Sequence, residues 1–257
     1  MRFAMISGLL VIALFTAGEV RCGEGSEGLF GIKDLSGSIE LAYNSKYVWR
    51  GLALAQESVF QPSVSLSYRE LTGSIWGNMD FTDENENSGE FNEIDYSMDY
   101  SGSWERIGYS FGVIHYRFPN TDFEATTEFY AGVSGDVLLS PSLTLYQDVD
   151  QSEGLYLQLG IGHSFEDVYS FSETVKMSVD LSGTLGYGST KHNEAYYGHD
   201  EAELTDATMQ VALPVTLGHG LTLSPSINYS TLISDEIREV NSEDDNLWAG
   251  VALTWEF

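Results

Sequence analysis

The chain has 257 residues, with 39 Asp and Glu against 11 Lys and Arg, and a formal net charge of -28 at pH 7. So strong a negative charge excludes nucleic acid as a partner, because its phosphates would be repelled. Aromatic residues make up 13 % of the chain and Gly contributes 26 positions, whereas Pro contributes 5. That mixture favours a protein built of strands and turns.

The first residues are typical of a secretory signal peptide. Arg2 gives a positive start, and an apolar run follows over residues 3–17. The run is too short to span a bilayer comfortably, so we expect cleavage between residues 17 and 23 and assign 1–22 to the signal. Cys22 is the single cysteine, and a lipid anchor on it is the less favoured alternative because Arg21 precedes it. No other run is apolar enough to predict a transmembrane helix.

From residue 35 onward the sequence alternates between apolar and polar positions, which predicts strands with two different faces. In the first segment the apolar set is Ile39, Leu41, Tyr43, Tyr47 and Trp49. The opposite set is Glu40, Asn44, Lys46 and Arg50. Twelve such segments follow one another, at residues 39–49, 60–68, 71–81, 94–100, 107–113, 123–133, 143–145, 155–161, 175–185, 209–217, 221–229 and 247–257.

The length of these segments distinguishes a membrane barrel from a soluble sandwich. Most cover about 9 to 14 residues, enough to cross a bilayer when tilted, whereas strands of soluble sheets average about 5 to 6. Aromatic residues gather toward the segment ends, as at Tyr68, Phe81, Tyr100 and Tyr187. Such positions are typical of the aromatic girdles of membrane barrels. We therefore predict an all-β fold, a single antiparallel transmembrane barrel of about 12 strands over residues 35–257.

The connections between the predicted strands support the same fold. Long acidic connections, such as 83–90, 148–154, 189–203 and 234–246, alternate with mostly short ones, such as 69–70, 101–105 and 218–220. Outer-membrane barrels have long extracellular loops and short periplasmic turns. The chain also ends on Phe257, with Trp255 two positions before it. We interpret these two aromatic residues as a signal for the barrel assembly machinery of a bacterial outer membrane.

The segment 47-YVWRGLALAQESVFQPSVSLSY-68 resembles the opening of the TorF-like porins, the Gcw_chp family. Further similarity lies in 127-TEFYAGVSG-135, 154-GLYLQLGIGHSF-165, 213-LPVTLGHGLTLSPSINYSTL-232 and 247-LWAGVALTWEF-257. Ala53 and Ala55 depart from the family, which more often has Ser in this loop. The resemblance implies an outer-membrane barrel of porin type and does not imply a particular substrate.

The alternation places Arg50 toward the lumen and both Tyr47 and Trp49 toward lipid. Two interpretations of Arg50 follow. It is either a charge at a rim or constriction that tunes ion passage, or the partner of a strand carboxylate that holds the wall together. The second is favoured, because an unpaired buried Arg is costly.

The predicted lumen is negative on balance, so an open pore should prefer cations. The lumen-facing candidates are Glu40, Lys46, Arg50, Asp80, Asp95, Asp99, Glu124, Glu128, Lys176 and Asp180. Acidic loops could bind Ca²⁺, and His192 with His199 and Asp200 could bind zinc, but neither set has the spacing of a defined site.

We predict an outer-membrane porin-like channel for passive passage of small polar or cationic solutes. The alternative is a non-conducting structural or adhesive barrel with acidic extracellular loops. An enzyme is disfavoured, because no nucleophile motif surrounds the histidines that have serine neighbours, His115 with Ser110 and His163 with Ser164. We expect no cofactor and no metal; the expected partners are outer-membrane lipid, the assembly machinery, and small solutes or cations.

Overall fold

The computed structural model describes Leu29 and residues 32–85, 88–241 and 243–257, so the predicted signal peptide lies outside the described residues. The strands are β1 (Leu35–Asn44), β2 (Tyr47–Trp49), β3 (Leu52–Ala55), β4 (Val59–Tyr68), β5 (Leu71–Asp80), β6 (Phe91–Trp104), β7 (Ile107–Arg117), β8 (Thr126–Gly135), β9 (Ser142–Asp148), β10 (Leu155–Ser170), β11 (Lys176–Gly188), β12 (Glu203–Ala212), β13 (Val215–Gly218), β14 (Leu221–Leu232) and β15 (Asp245–Glu256). The helices are α1 (Thr190–Tyr197) and α2 (Asp235–Val240). No helix of this part of the chain is long and apolar enough to cross a membrane.

The long strands close into one antiparallel barrel, which confirms the predicted fold. Each long strand pairs with its neighbours along the chain, except where β12 and β13 form two pieces of a single wall strand. That strand is interrupted at Leu213 and Pro214, where proline cannot donate to the sheet. β10 pairs with β11, and the first strand β1 pairs with the last strand β15 from Ser38↔Glu256 to Asn44↔Gly250. Counting β12 and β13 together, the wall has twelve strands.

The outer face of the barrel is apolar around its circumference. Large side chains stand exposed on every long strand, including Leu66, Ile75, Phe111, Phe129 and Ile227. A continuous apolar surface of this extent is incompatible with water but matches the hydrocarbon of a bilayer. The closed wall and this belt place the protein in a bacterial outer membrane. Tyr68, Phe81, Tyr100, Tyr187 and Trp255 are also exposed near strand ends, as expected of girdle residues.

The two ends of the barrel differ sharply. One end carries the turns at 69–70, 105–106, 136–141, 171–175 and 219–220, together with the start of β1 and the end of β15. The other carries the connections at 45–58, 81–90, 118–125, 149–154, 189–202 and 233–244, and these contain β2, β3, α1 and α2. By the usual orientation of such barrels the second end is extracellular. We call it the mouth.

The first connection differs from the prediction. β1 ends at Asn44, and residues 47–55 form a separate two-stranded sheet, β2 with β3, that does not join the wall. Tyr47 is 5 % exposed and Trp49 is 1 % exposed, so neither side chain faces lipid. The prediction for these two residues was wrong because the alternation continues through the break at Ser45 and Lys46. We call residues 47–55 the plug hairpin, because they fill the mouth from inside.

Candidate functional site: the plugged lumen

The plug hairpin turns at Arg50 and Gly51, which connect β2 to β3. Both have positive φ, 44° and 84°. Two-residue turns with positive φ at both positions match the twist of a hairpin, and the second position usually requires glycine. Space adds to the requirement, since a Cβ on Gly51 would lie 2.6 Å from Leu232 Cδ2 and 2.8 Å from Asp206 Cβ. The turn therefore sits directly against the inner wall.

Helix α1 packs over the plug hairpin. Its N-cap Ser189 accepts from the backbone N–H of His192, and it ends at Gly198 in the left-handed conformation. Trp49 meets Tyr196 edge to face, with ring centroids 4.9 Å apart. The buried apolar cluster of the mouth combines the plug hairpin with α1, α2 and the adjoining wall: Tyr47, Trp49, Leu52, Ala55, Val59, Tyr196, Tyr197, Leu232 and Ile237. The main apolar core of this barrel is thus its plug.

The tip of the plug hairpin is held by Arg50, whose guanidinium reaches Glu128 on β8. Nη1 and Nη2 each donate to one carboxylate oxygen at 2.9 Å, and the two side chains are 1 % and 2 % exposed. Such a bidentate pair fixes direction as well as distance. β8 lies five strands from β1 around the wall, so the plug hairpin that follows β1 reaches across the lumen to make this pair. Of the two interpretations of Arg50, the structure shows the ion pair with a strand carboxylate.

Aromatic rings complete the surroundings of the guanidinium. Its central carbon lies 4.0 Å from the ring centroid of Tyr156, 4.5 Å from Trp49 and 5.0 Å from Tyr146. These distances are within the range of cation–π attraction. Burial lowers the pKa of Arg50, but the Glu128 carboxylate together with the Tyr116 and Tyr156 side chains raises that pKa above its ordinary value. Arg50 therefore stays charged inside the plug.

Further hydrogen bonds seat the plug hairpin. The Tyr197 hydroxyl of α1 donates to the backbone oxygen of Arg50 at 2.7 Å. At the start of β2, the Tyr47 hydroxyl donates to Glu93 of β6 at 2.9 Å. The Lys46 ammonium group donates to the side chain of Asn246 at 3.2 Å. The Asn246 side chain also donates to the backbone oxygen of Gly51 at 3.4 Å. The plug hairpin is therefore tied to β6, β8, β15 and α1.

Beneath the plug hairpin the lumen is hollow and polar. One cavity of about 340 Å³ reaches from the plug hairpin downward, and a second of about 330 Å³ continues toward the turn end. Both are lined by Ser65, Ser74 and Ser97, so the two adjoin. Hydroxyl and amide groups pair across neighbouring strands, as in Asn44 with Gln61 and Ser65 with Ser74. These ladders give the wall a hydrophilic inner surface.

The predicted lumen residues occupy three kinds of position. Glu40, Lys46, Arg50, Asp95 and Asp99 line the cavities. Asp80 and Glu128 are buried around the plug hairpin, and Asp180 accepts from Ser164 at 2.6 Å inside the wall. Lys176 pairs with Asp167 near a turn. Glu124 differs from the prediction, since it lies exposed in the connection before β8, where Gln151 donates to it; the strand begins only at Thr126.

The histidines do not form the sites that were weighed for them. His192 is fully buried, and burial and the Arg50 charge hold its pKa well below its ordinary value. His199 lies 2.8 Å from Glu203. Among the described residues no group of three or more His, Cys, Asp or Glu side chains is placed to hold a metal ion.

The other two histidines, His115 and His163, lie on the outward faces of their strands. Their serine neighbours, Ser110 and Ser164, face the lumen. Ser110 is buried and lines a cavity, and Ser164 donates to Asp180. His115 contacts Thr127, and His163 packs on Phe165.

The contacts of several site residues escaped prediction, because they join residues far apart along the chain. Alternation predicts Glu93 as an inward carboxylate of β6, but not its bond to Tyr47, which lies 46 positions away. His192 and Tyr197 lie in a connection that looks polar and acidic. A usable signal was present: Ser189 and Gly198 bracket α1 as N-cap and C-cap residues.

The described geometry is similar to that of solved barrels. LpxR from Salmonella typhimurium superposes with a TM-score of 0.53 at 10 % identity, over 86 % of this chain and 99 % of that one. The NanC porin gives 0.51 at 12 % identity over 85 % and 98 %. The KdgM porin, solved in complex with disordered oligogalacturonate, gives 0.53 at 13 % identity over 86 % and 99 %. The chain has the fold of an outer-membrane β-barrel.

Sequence comparison adds no closer relationship. No protein-family model matches the chain, and no curated protein matches it. Similarity at this level of identity shows the fold alone.

Proposed function

We propose that this barrel is a porin-like channel for small polar or cationic solutes and that its mouth is closed by the plug hairpin. The observation that carries the proposal is the hydrophilic, acidic lumen beneath the plug hairpin. A barrel that served only as a structural element would have no need of adjoining cavities of about 340 and 330 Å³. The resemblance to TorF-like porins supports the same proposal.

The charge of the lumen favours cations. Four acidic residues line the cavities: Glu40, Asp95, Asp99 and Asp206. The two basic residues that line them, Lys46 and Arg50, are engaged by Asn246 and Glu128. Acidic side chains that line a pore attract cations and repel anions. The ligand of the KdgM porin, oligogalacturonate, is a polyanion and does not fit this lumen.

Passage through the mouth requires the plug hairpin to move. Arg50, Tyr197 and Tyr47 hold it across the lumen, and α1 covers it. The closed conformation therefore corresponds to a low-conductance state, and displacement of the plug hairpin gives the conducting one.

Planar-bilayer recording with a salt gradient tests the proposal. The matched variant replaces residues 47–55 with a flexible Gly/Ser linker, which leaves the wall intact. We expect the wild type to conduct weakly, the linker variant to conduct strongly, and the reversal potential to indicate cation preference. Heat-modifiable gel mobility verifies that both barrels are folded. Silent traces from both folded proteins would overturn the channel proposal.

The alternative proposal is a non-conducting structural or adhesive barrel. The observation that favours it is the closure of the mouth by a buried ion pair and an apolar cluster. The linker variant separates the two proposals, because removing a gate creates conductance only if the lumen below it is continuous.

We propose no enzymatic activity, since Ser110 and Ser164 face the lumen and the neighbouring His115 and His163 face outward. Release of fatty acid from outer-membrane lipid by the purified protein would contradict that proposal.

A further inference from the structure

Two carboxylates lie side by side beneath the plug hairpin without a counter-charge. Glu93 and Asp95 are alternate residues of β6 and both point inward, with 2 % and 3 % of their surface exposed. Glu93 accepts from the Tyr47 hydroxyl through one oxygen only. Neither oxygen of Asp95 has a hydrogen-bond partner among the described residues. A buried carboxylate in this condition is costly unless something pairs with it.

The basic groups of the lumen do not supply that partner. The guanidinium of Arg50 gives both of its terminal nitrogens to Glu128. The Lys46 ammonium group donates to Asn246 on the opposite side of the plug hairpin. Asp95 is therefore a carboxyl group without a partner beside the 340 Å³ cavity.

Aromatic rings flank this charge. Trp76 stands directly opposite Asp95 in the register of β5 and β6, and both line the same cavity. The Tyr47 ring lies 5.9 Å from Trp76 and also lines the cavity. A carboxylate with an indole ring beside it is the chemistry that recognises an organic ammonium ion.

We propose that Asp95, with Glu93 and Trp76, forms a binding subsite for small organic cations that bear an ammonium group. The subsite deepens the proposed channel function, on which it rests, by naming the class of solute that the lumen recognises. A divalent metal ion fits less well, because it takes six or more oxygen ligands and the described residues offer no group of three acids for it. The volume of the cavity and its aromatic walls favour an organic cation over a bare alkali ion.

The subsite is coupled to the plug hairpin. In the closed conformation the Asp95 oxygens are sealed from solvent and Tyr47 occupies one oxygen of Glu93. A cation reaches the carboxylates when Tyr47 withdraws, so binding stabilises the displaced plug hairpin. We call a variant unlatched when it has lost the Arg50–Glu128 pair that holds the plug hairpin. The apparent affinity for the cation rises in any unlatched variant.

Fluorescence titration of the full chain, folded in detergent micelles, tests the subsite, with the intrinsic tryptophan emission as the readout. Choline is the probe, its uncharged isostere dimethylbutanol tests the role of charge, and NaCl at equal ionic strength tests alkali ions. The variants are Asp95→Asn, Glu128→Gln to unlatch the plug hairpin, and Asp180→Asn as a matched charge change outside both cavities.

We expect Glu128→Gln to bind choline more tightly than the wild type, and Asp95→Asn in that background to bind at least about tenfold more weakly. Asp180→Asn should leave choline affinity unchanged, and dimethylbutanol should bind weakly to every variant. Equal choline affinity with and without the Asp95 charge would overturn the subsite. So would saturable binding of Na⁺ without choline, or the absence of choline binding in the unlatched protein.

Because removal of an unpaired buried charge should not impair folding, heat-modifiable mobility of Asp95→Asn is expected to match the wild type. If that variant nevertheless fails to fold, Trp76→Phe in the unlatched background provides the second test, read by isothermal calorimetry; unchanged choline affinity there overturns the aromatic subsite. Choline binding by a barrel with silent bilayer traces would refute the channel and retain the subsite. Cation-selective conductance with no choline binding would refute the subsite and retain the channel.

Discussion

The Arg50–Glu128 pair should control how often the mouth opens. In Glu128→Gln the shape of the side chain and an acceptor for the Tyr116 hydroxyl remain, whereas the charge is lost. The Arg50 guanidinium, 1 % exposed, then has no counter-charge in the closed state. The displaced state is affected far less, because Arg50 there is hydrated by water.

The magnitude follows from the burial of the pair. Breaking a buried ion pair by removing one partner costs about 3–5 kcal/mol. At about 1.4 kcal/mol for each factor of ten, the ratio of open to closed mouth should rise by about two to three and a half orders of magnitude. The contacts of Arg50 with its three aromatic rings persist in both variant and wild type, so they do not reduce this difference.

Single-channel recording measures the open probability directly. A double variant, Arg50→Met with Glu128→Leu, is the control, because an apolar pair of similar volume often replaces a buried ion pair without loss. We expect the double variant to be closed more often than Glu128→Gln. An open probability of folded Glu128→Gln equal to that of the wild type would falsify the role of the Arg50–Glu128 pair in closure. A double variant as open as the single one would show that the unpaired Arg50 charge is not what opens the mouth.

Three further predictions follow from the same geometry. The pKa of His192 is lowered in the closed mouth, so neutral His192 supports closure above its ordinary pKa of about 6.5, and this support is lost as pH falls below that value. The open probability, recorded in symmetric buffers, should therefore rise on acidification. It should rise less in His192→Phe. Gly51→Val, which places a side chain against Leu232 at positive φ, should unseat the plug hairpin and increase its cleavage by added protease, with Gly89→Val, in an open connection, as the comparison. Ile75→Arg, near the middle of an outward face, should destabilise the folded barrel in vesicles by about 2–4 kcal/mol in urea titrations, whereas a stability equal to that of the wild type would argue against a lipid-facing position.

The wall of the barrel was predictable because the orientation of each strand's side chains is set by residues adjacent in the sequence. Alternation with a period of two encodes which side chains face lipid, and residues such as Ile39 and Leu41 do stand outward on β1. The difference between long loops and short turns gave the orientation without any information on distant contacts. The closure of the wall then follows, since an unpaired strand edge cannot remain in hydrocarbon.

The plug was not predictable from alternation, because the same period describes a wall strand and a hairpin in the lumen. Tyr47 and Trp49 are suitable for an aromatic girdle and equally suitable for a buried cluster. The partner of Arg50, Glu128, lies 78 residues away along the chain, and nothing local connects them. One local signal did exist: Arg50-Gly51 between two alternating apolar stretches is a two-residue hairpin turn.

The Arg50–Glu128 pair determines the position of the plug hairpin more than it stabilises that position. A buried ion pair contributes little net free energy relative to an apolar pair of the same size, because both charges must be dehydrated. Its bidentate geometry, however, admits one position of the plug hairpin against β8, and a shift by one residue would leave Arg50 unpaired. Both charges regain water when the plug hairpin is displaced, so opening is not penalised by stranded charges. An apolar plug alone would be retained by its own burial, whereas a plug whose tip is an ion pair is placed accurately and released reversibly, which is the behaviour that a gate requires.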